Sequence, residues 1–290
     1  MSAHGGNCCP PVAVVTGSSS GIGRAVAVEF AWAGYRVLLH GRKPSEQLDA
    51  VEQELQAIQL ELSTADQNGN QVWVEKIYGD FSQPIDWQQF VDDAWSKLGP
   101  VDCWVNNAGG DVLTNDWKDR PIEEKLDYLW KTDVTASLML SRHAGRRMIA
   151  DRQKQLEISG NKPTAVTGSI VNIGWDQADQ GMEGDSGELF ATTKGAITAM
   201  TKSLAQSLAP QIRVNCIAPG WIQTAWGRGA PEAWQRRAKQ ESLMNRWGLP
   251  KDVATAVVFL CQAEASFISC LLYTSPSPRD QRGSRMPSSA

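Results

Sequence analysis

The sequence lacks a membrane-length apolar run, a strong excess of either charge, and any cysteine or histidine spacing typical of a metal site. A net charge of −4 gives no sign of a nucleic-acid partner. Residues 1–10 have neither a basic start nor an apolar stretch, so no secretory signal is expected. Six cysteines without metal spacing would stay reduced in a cytosol. These absences predict a cytoplasmic protein with no metal, membrane or nucleic-acid partner.

A glycine-rich turn is the most informative feature that is present. The β-branched run 12–15 leads through three glycines directly into a helical segment at 25–33. A strand that turns sharply into a helix leaves the first helical N–H groups unpaired, and these amides bind anions. The turn predicts a dinucleotide-phosphate site, although an ordinary strand-to-helix turn has the same glycines. The candidate binding residues are Thr16, Gly17, Ser19, Ser20, Gly21, Ile22 and Gly23.

The end of the second strand, 36–40, indicates which dinucleotide would bind. An acidic residue there would contact the adenosine ribose hydroxyls, whereas a cation would accept a 2′-phosphate. The chain has Gly41, Arg42 and Lys43 and no acid. A solvated basic turn is the alternative, but Arg42 favours NADP over NAD, with His40 and Lys43 as candidates to assist it.

Strands and helices alternate along the chain, which predicts an α/β fold with a parallel sheet covered on both faces. Helices are expected at 45–61, at 87–98 and from Pro250, and further strands at 72–78 and 101–105. Two polar stretches, 64–70 and 150–167, are predicted to be loops. The segment 270–290 is rich in serine, proline and arginine. It is expected to be a disordered, dispensable tail, which leaves the sheet without its last edge strand.

Several motifs in a fixed order resemble the short-chain dehydrogenase/reductase family. They are the glycine turn, Asp80 after the third strand, and the segments 106–109, 168–173 and 213–222 with Lys194 and Thr224. The resemblance implies one doubly wound Rossmann-type domain over 11–269, after a disordered 1–10. It also implies a small-molecule substrate and a homodimer or homotetramer built on helices 131–148 and 190–208. Further cofactor contacts would come from Asp80, Phe81, Asn107, Ala108, Gly109, Lys194, Pro219, Gly220, Ile222 and Thr224.

Two of these residues have simpler explanations, since Asn107 could only form a turn and Pro219 only a corner. The reaction residues depart from the family more clearly. The family pattern places a tyrosine, a serine and an asparagine with the lysine. Here Phe190 replaces the tyrosine, Trp175 follows Gly174 at the serine position, and Asp133 replaces the asparagine. Ser186 is a possible substitute for the serine.

The loss of the family's tyrosine, serine and asparagine predicts altered chemistry. Similarity to the dienoyl-CoA reductase branch implies hydride transfer to a carbonyl or a conjugated, enoyl- or dienoyl-type substrate. Lys194 would hold the cofactor ribose and offset negative charge, and Asp133 would position or protonate a water molecule. A protein that binds the dinucleotide without turnover is the alternative.

Two further groups of residues are open to two explanations each. Five acidic residues between 176 and 188 form either a flexible loop or a metal site, and the loop is favoured because no histidine joins them. Trp221, Trp226, Trp234 and Trp247 fall where the family has a substrate lid. They either line an apolar pocket or pack the lid onto the domain.

Overall fold

The computed structural model describes residues 10–63, 73–159 and 168–274. A parallel sheet with the strand order β3-β2-β1-β4-β5-β6-β7 forms its centre. Most of its strands are short, buried runs of apolar residues, as expected for a sheet covered on both faces. The strands are β1 (Val12–Val15), β2 (Arg36–Gly41), β3 (Val74–Tyr78), β4 (Cys103–Asn106), β5 (Gly168–Ile173), β6 (Ile212–Ala218) and β7 (Leu272–Thr274).

Helices cover both faces of this sheet. Those on one face pack with Phe30, Leu55 and Val257, and those on the other pack with Trp95, Leu140 and Leu204. The helices are α1 (Gly21–Trp32), α2 (Glu46–Ser63), α3 (Trp87–Leu98), α4 (Ile122–Leu129), α5 (Ala136–Ser159), α6 (Asp185–Leu208), α7 (Ala225–Gly229), α8 (Glu232–Glu241) and α9 (Pro250–Cys261). The predicted doubly wound α/β fold is confirmed, and the strand order reverses between β1 and β4.

A π-helical segment, Trp130–Thr135, joins α4 to α5. Such segments are rare and concentrate at functional sites. The wider turn places Asp133, which is buried, against the end of β4. No periodicity in the sequence indicates this segment.

The expected loop at 150–167 is wrong over its first part, because α5 continues to Ser159. Asp151 accepts a hydrogen bond from the Trp95 indole at 2.5 Å and lies 3.5 Å from the Arg147 guanidinium. These contacts hold a polar helical turn that has little apolar surface of its own. Residues 160–167 and the expected loop at 64–70 lie outside the described residues.

The expectation that the sheet lacks its last edge strand is also wrong. β7 pairs with β6 in parallel, with Leu272 opposite Cys216 and Thr274 opposite Ala218. The Asn215 side chain reinforces this edge by donating to Ile268 O and accepting from Leu271 N. The domain therefore extends past 269 to at least Thr274, and the first five residues of the expected disordered tail are ordered.

The remainder of that tail, 275–290, and residues 1–9 of the expected disordered N-terminus lie outside the described residues. Within the part that the structure describes, no helix is long and apolar enough to span a membrane.

Candidate active site

The glycine turn packs too closely against its neighbours to carry side chains. Gly17 has φ +65°, and a Cβ there would lie 2.8 Å from Ala108 Cα. A Cβ on Gly23 would overlap the Gly17 carbonyl oxygen and the Asn107 amide nitrogen. Glycine is therefore required for helix-to-strand contact at these two positions. At Gly21 glycine is favoured for a different reason, because the backbone φ of +57° is one that other residues rarely adopt.

The N-terminus of α1 can bind an anion. Ser20 is the N-cap residue, but its side chain makes no capping hydrogen bond to the helix amides. The first backbone bond of the helix runs from Arg24 N to Ser20 O at 3.1 Å. The amides of Gly21, Ile22 and Gly23 precede that bond at the positive end of the helix dipole. A dinucleotide pyrophosphate fits this arrangement.

Thr16 and Asn107 fasten the glycine turn to the end of β4. The Thr16 hydroxyl accepts from Asn107 N at 2.9 Å and Ala108 N at 3.0 Å. The Asn107 amide donates to Thr16 O and Gly17 O at 3.0 and 3.1 Å. Asn107 is thus more than a turn former, since it sets the distance between two loops that would border the cofactor.

His40 supports the turn from beneath, a role that the sequence did not reveal. Its Nδ1 accepts from Gly17 N at 3.0 Å, so Nε2 carries the proton and donates to Gly79 O at 3.0 Å. The ring is buried and stacks on Phe81 with 4.5 Å between centroids. Burial lowers the pKa of His40 to about 4, so the ring is neutral. The expectation that His40 assists with a 2′-phosphate is wrong, because both nitrogens face the backbone inside the domain.

The residues expected to contact the adenosine follow the ends of β2 and β3. Arg42 is exposed just beyond β2, and its Nη1 lies 3.4 Å from the Tyr128 hydroxyl. Asp80 accepts two hydrogen bonds from Ser82 through Oδ1. The Phe81 ring lies in the core beside His40, so it supports the wall of the groove.

The loop after β6 borders the glycine turn from the other side. A Cβ on Gly21 would lie 3.5 Å from the Thr224 methyl group. Pro219 O accepts from Asp176 N at 3.2 Å, so the corner at Pro219 also orders the loop after β5. Gly220 and Ile222 lie between these two contacts. Most of the residues expected from separate parts of the sequence follow the ends of parallel strands, so they lie at the carboxyl edge of the sheet, where we expect the cofactor groove.

A buried ion pair lies near β5 and α6. Lys194 Nζ is 2.9 Å from Asp133 Oδ2, and the two side chains are 15% and 1% exposed. Asp133 Oδ1 accepts from Gly110 N and from the Thr132 hydroxyl, both at 2.8 Å. Lys194 also donates to Ile173 O at 3.4 Å. Gly109 is required here because a Cβ would lie 3.0 Å from the Asp133 carboxylate.

Two aromatic rings come from α6 and from the loop after β5. Phe190 is one helical turn before Lys194 on α6, and its ring meets Trp175 edge to face at 6.2 Å. A Cβ on Gly174 would lie 2.8 Å from Cys216 Sγ, so the thiol already occupies the space beside that residue. Ser186 lies in the first turn of α6, one turn before Phe190.

Comparison with known proteins identifies the family. A family model described as Enoyl-(Acyl carrier protein) reductase matches residues 17–271. The chain belongs to the short-chain dehydrogenase/reductase family. It is 31% identical to the 3-oxoacyl-[acyl-carrier-protein] reductase FabG of Aquifex aeolicus, over 89% of this chain and 92% of that protein. It is 33% identical to the glucose and ribitol dehydrogenase homolog of rice (Oryza sativa subsp. japonica), over 89% and 82%.

Solved structures of family members superpose on most of this short-chain dehydrogenase/reductase. A 3-oxoacyl (acyl-carrier-protein) reductase from Agrobacterium tumefaciens with NADP bound has a TM-score of 0.73 at 25% identity, covering 91% of this chain and 92% of that one. A 7α-hydroxysteroid dehydrogenase complexed with NADH has a TM-score of 0.74 at 26% identity, with the same coverage. These relatives share the oxidoreductase fold but differ in substrate and in nicotinamide cofactor.

The lid region of this family member is dominated by tryptophan. Trp221 packs against Trp234 and Trp247 at 5.6 and 5.8 Å, and Trp226 packs against Trp234 at 6.2 Å. All four rings therefore pack against one another. Trp221 also lines a cavity of about 150 Å³, together with Asp176 and Tyr273.

One residue of the acidic segment 176–188 forms an ion pair with a neighbouring helix. Glu183 pairs with Arg237 at 2.7 Å, which links the segment to α8 of the lid. Among the residues that the structure describes, no group of three or more side chains is arranged to hold a metal ion.

Proposed function

We propose that this protein is an NADP-linked reductase that delivers hydride to a conjugated or otherwise activated acceptor. The observation that supports the proposal is the buried Lys194–Asp133 ion pair. Phe190 and Trp175, which contact each other, stand where the family pattern has tyrosine and serine. The substrate is a small molecule, and the protein acts in the cytoplasm.

The residues present fit a nicotinamide dinucleotide. The α1 N-terminus would hold the pyrophosphate, Arg42 the 2′-phosphate, and Asp80 the adenine edge. Lys194 would hold the nicotinamide ribose, and the loop from Pro219 to Thr224 would cover the nicotinamide. When bound, the reduced cofactor supplies the hydride.

Lys194 is the remaining cation beside the reacting atoms. Hydride addition to the far carbon of an enone or enoyl thioester places negative charge on the carbonyl oxygen, and a fixed ammonium stabilises that charge. Asp133 already accepts hydrogen bonds through both oxygens and is buried. It therefore serves to hold Lys194 in place, and this role is favoured over protonation of a water molecule.

Saturated ketones should be poor substrates. Their reduction needs a proton at the carbonyl oxygen during hydride transfer, and a positioned general acid contributes roughly 10²–10⁴-fold. A phenylalanine ring offers no such proton. An enolate, in contrast, is stable enough to take its proton later from water.

The test is NADPH oxidation with an enone, an enoyl thioester and a saturated ketone, measured for the wild type, Lys194→Ala and Asp133→Asn. The proposal expects turnover of the conjugated substrates in the wild type and a large loss in Lys194→Ala. If all substrates are inert while NADPH binds, the protein is a dinucleotide-binding pseudoenzyme. The two hydrocarbon rings at the proton-donor positions favour this second candidate.

The cofactor preference has its own test. A guanidinium pairs with a phosphate through two parallel charge-assisted hydrogen bonds, which NADH cannot offer at its 2′-hydroxyl. Fluorescence titration should give tighter binding of NADPH than of NADH, and Arg42→Ala should abolish the difference. Equal affinities in the wild type would overturn the NADP assignment.

We also propose that the protein is a homodimer or homotetramer through α5 and α6. Ile122, Leu126 and Trp130 lie at helical spacing on neighbouring α4 and its π-helical extension, and all are at least 36% exposed. Such an apolar stripe favours association. Sedimentation velocity of the wild type and of Leu126→Glu tests it, since a monomeric wild type would contradict the assembly.

A further inference from the structure

Tyr128 connects the two ends of the cofactor groove. Its hydroxyl oxygen accepts from Arg42 Nη1 at 3.4 Å. Its ring lies against the backbone of Gly110, where a Cβ would come within 2.5 Å of Cε1. Gly110 N in turn donates to Asp133. The tyrosine thus extends from the loop that holds Asp133 to the turn after β2.

The tyrosine ring is held firmly, whereas the arginine is not. Trp117 stacks on Tyr128 with 4.2 Å between centroids and 28° between planes. The Arg120 guanidinium lies 4.5 Å from the Trp117 ring. Arg42 is exposed and, within the described parts of the chain, forms no ion pair. Its contact with Tyr128 therefore restricts a side chain that otherwise has several rotamers.

We infer that Tyr128 is a positioning residue that holds Arg42 for the 2′-phosphate of NADPH and so sets the cofactor preference. The inference rests on the proposed use of NADP. Holding a long side chain in its binding geometry reduces the conformational entropy lost when a ligand arrives. Because the contact is long, only part of that entropy is saved.

The chemistry of the phenol suits this role. Burial raises the pKa of Tyr128, and the nearby Asp80 and Asp133 raise it further, while Arg42 opposes them. The hydroxyl is therefore protonated at neutral pH, and it accepts from Arg42 while keeping its own proton to donate. A charged phenolate would instead pair with Arg42 and compete with a phosphate.

Tyr128→Phe tests the inference because it removes the oxygen and keeps the stacked ring. We expect the Kd for NADPH to rise about fivefold, as for loss of one positioning hydrogen bond to a charged group, and the Kd for NADH to stay within about twofold. In the Arg42→Ala background, Tyr128→Phe should change the NADPH affinity by less than about twofold, because the residue it positions is gone. Tyr35→Phe, which alters a tyrosine that packs on Phe30 just before the start of β2, is the matched control.

The outcomes separate this inference from the cofactor assignment. If Arg42→Ala weakens NADPH selectively but Tyr128→Phe does not, the positioning role fails while the NADP assignment stands. If Tyr128→Phe weakens both cofactors equally, or acts fully without Arg42, its role is general packing and the inference is wrong. If Arg42→Ala has no selective effect, both fail. Thermal melting of each variant confirms that it is folded.

Discussion

The two halves of the groove differ in how closely they follow the family pattern. In the half formed by the glycine turn, β2 and β4, backbone and side chains interlock, with Thr16, Asn107 and His40 fixing one loop against another. In the half formed by β5 and α6, the lysine remains, while Phe190, Trp175 and Asp133 stand where tyrosine, serine and asparagine are expected.

The difference shows which positions packing constrains. The glycine turn contributes to folding as well as to the proposed binding, so a substitution there is costly even without any ligand. At Phe190 the ring packs on Trp175 where the family pattern has a tyrosine, so the change removes a hydroxyl and keeps an aromatic ring. A chain can therefore change its reaction without losing its fold or its dinucleotide groove.

The strongest test of the interlocked half is Gly23→Ala. Its methyl group would overlap the Gly17 carbonyl and the Asn107 amide. We expect the free energy of unfolding to fall by more than about 4 kcal/mol, as for severe overpacking, and NADPH affinity to fall with it. Urea unfolding and cofactor titration measure both. Gly229→Ala is the control, because a Cβ there meets no atom within 4 Å. A Gly23→Ala protein with wild-type stability would refute the packing role.

The sequence predicted the sheet, the helices on its faces and the glycine turn because these depend on local patterns. Val12–Val15 is a buried strand by composition, and Trp87–Leu98 has the spacing of a half-buried helix. β7 could not be predicted in this way. It is held through backbone pairing with β6 and through the Asn215 side chain, which is distant in sequence.

The sequence indicated which residues belong to the candidate site, but not which of them contact one another. The family pattern indicated Lys194 and Asp133. Their direct ion pair depends on the π-helical segment, which no periodicity in the sequence predicts. His40 looked like a basic residue near Arg42, and only its burial in β2 reveals that it is neutral. A histidine between apolar residues of a strand was the one available signal.

The second test concerns the ion pair in the altered half. Lys194→Ala leaves the buried Asp133 carboxylate without its cation, which should lower the free energy of unfolding by about 3 kcal/mol. Adding Asp133→Asn removes the unpaired charge and should recover part of the loss. Urea unfolding of both variants measures this. A Lys194→Ala protein as stable as the wild type would mean that the pair contributes to chemistry alone.

The smallest expected effect is the pH dependence due to His40. Its pKa is about 4 when folded and 6.5 when unfolded, so the unfolded chain binds a proton that the folded chain excludes. Stability should therefore fall as the pH drops below 6.5 and level off below 4, with about 2 kcal/mol lost from this residue between pH 7 and pH 5. His40→Asn keeps an acceptor for Gly17 N. It should reduce the loss of unfolding free energy between pH 7 and pH 5 by that amount. An unchanged pH dependence would show that the fold does not lower the pKa of His40.

The central claim is that the fold keeps its cofactor groove while Phe190 restricts the chemistry to activated acceptors. The most direct measurement is the ratio of NADPH oxidation rates with an enone and with the matching saturated ketone, in the wild type and in Phe190→Tyr. We expect the wild type to reduce the enone and leave the ketone near background, and Phe190→Tyr to gain ketone reduction. A wild type that reduces both at similar rates would contradict it, as would a Phe190→Tyr protein that binds NADPH and gains nothing.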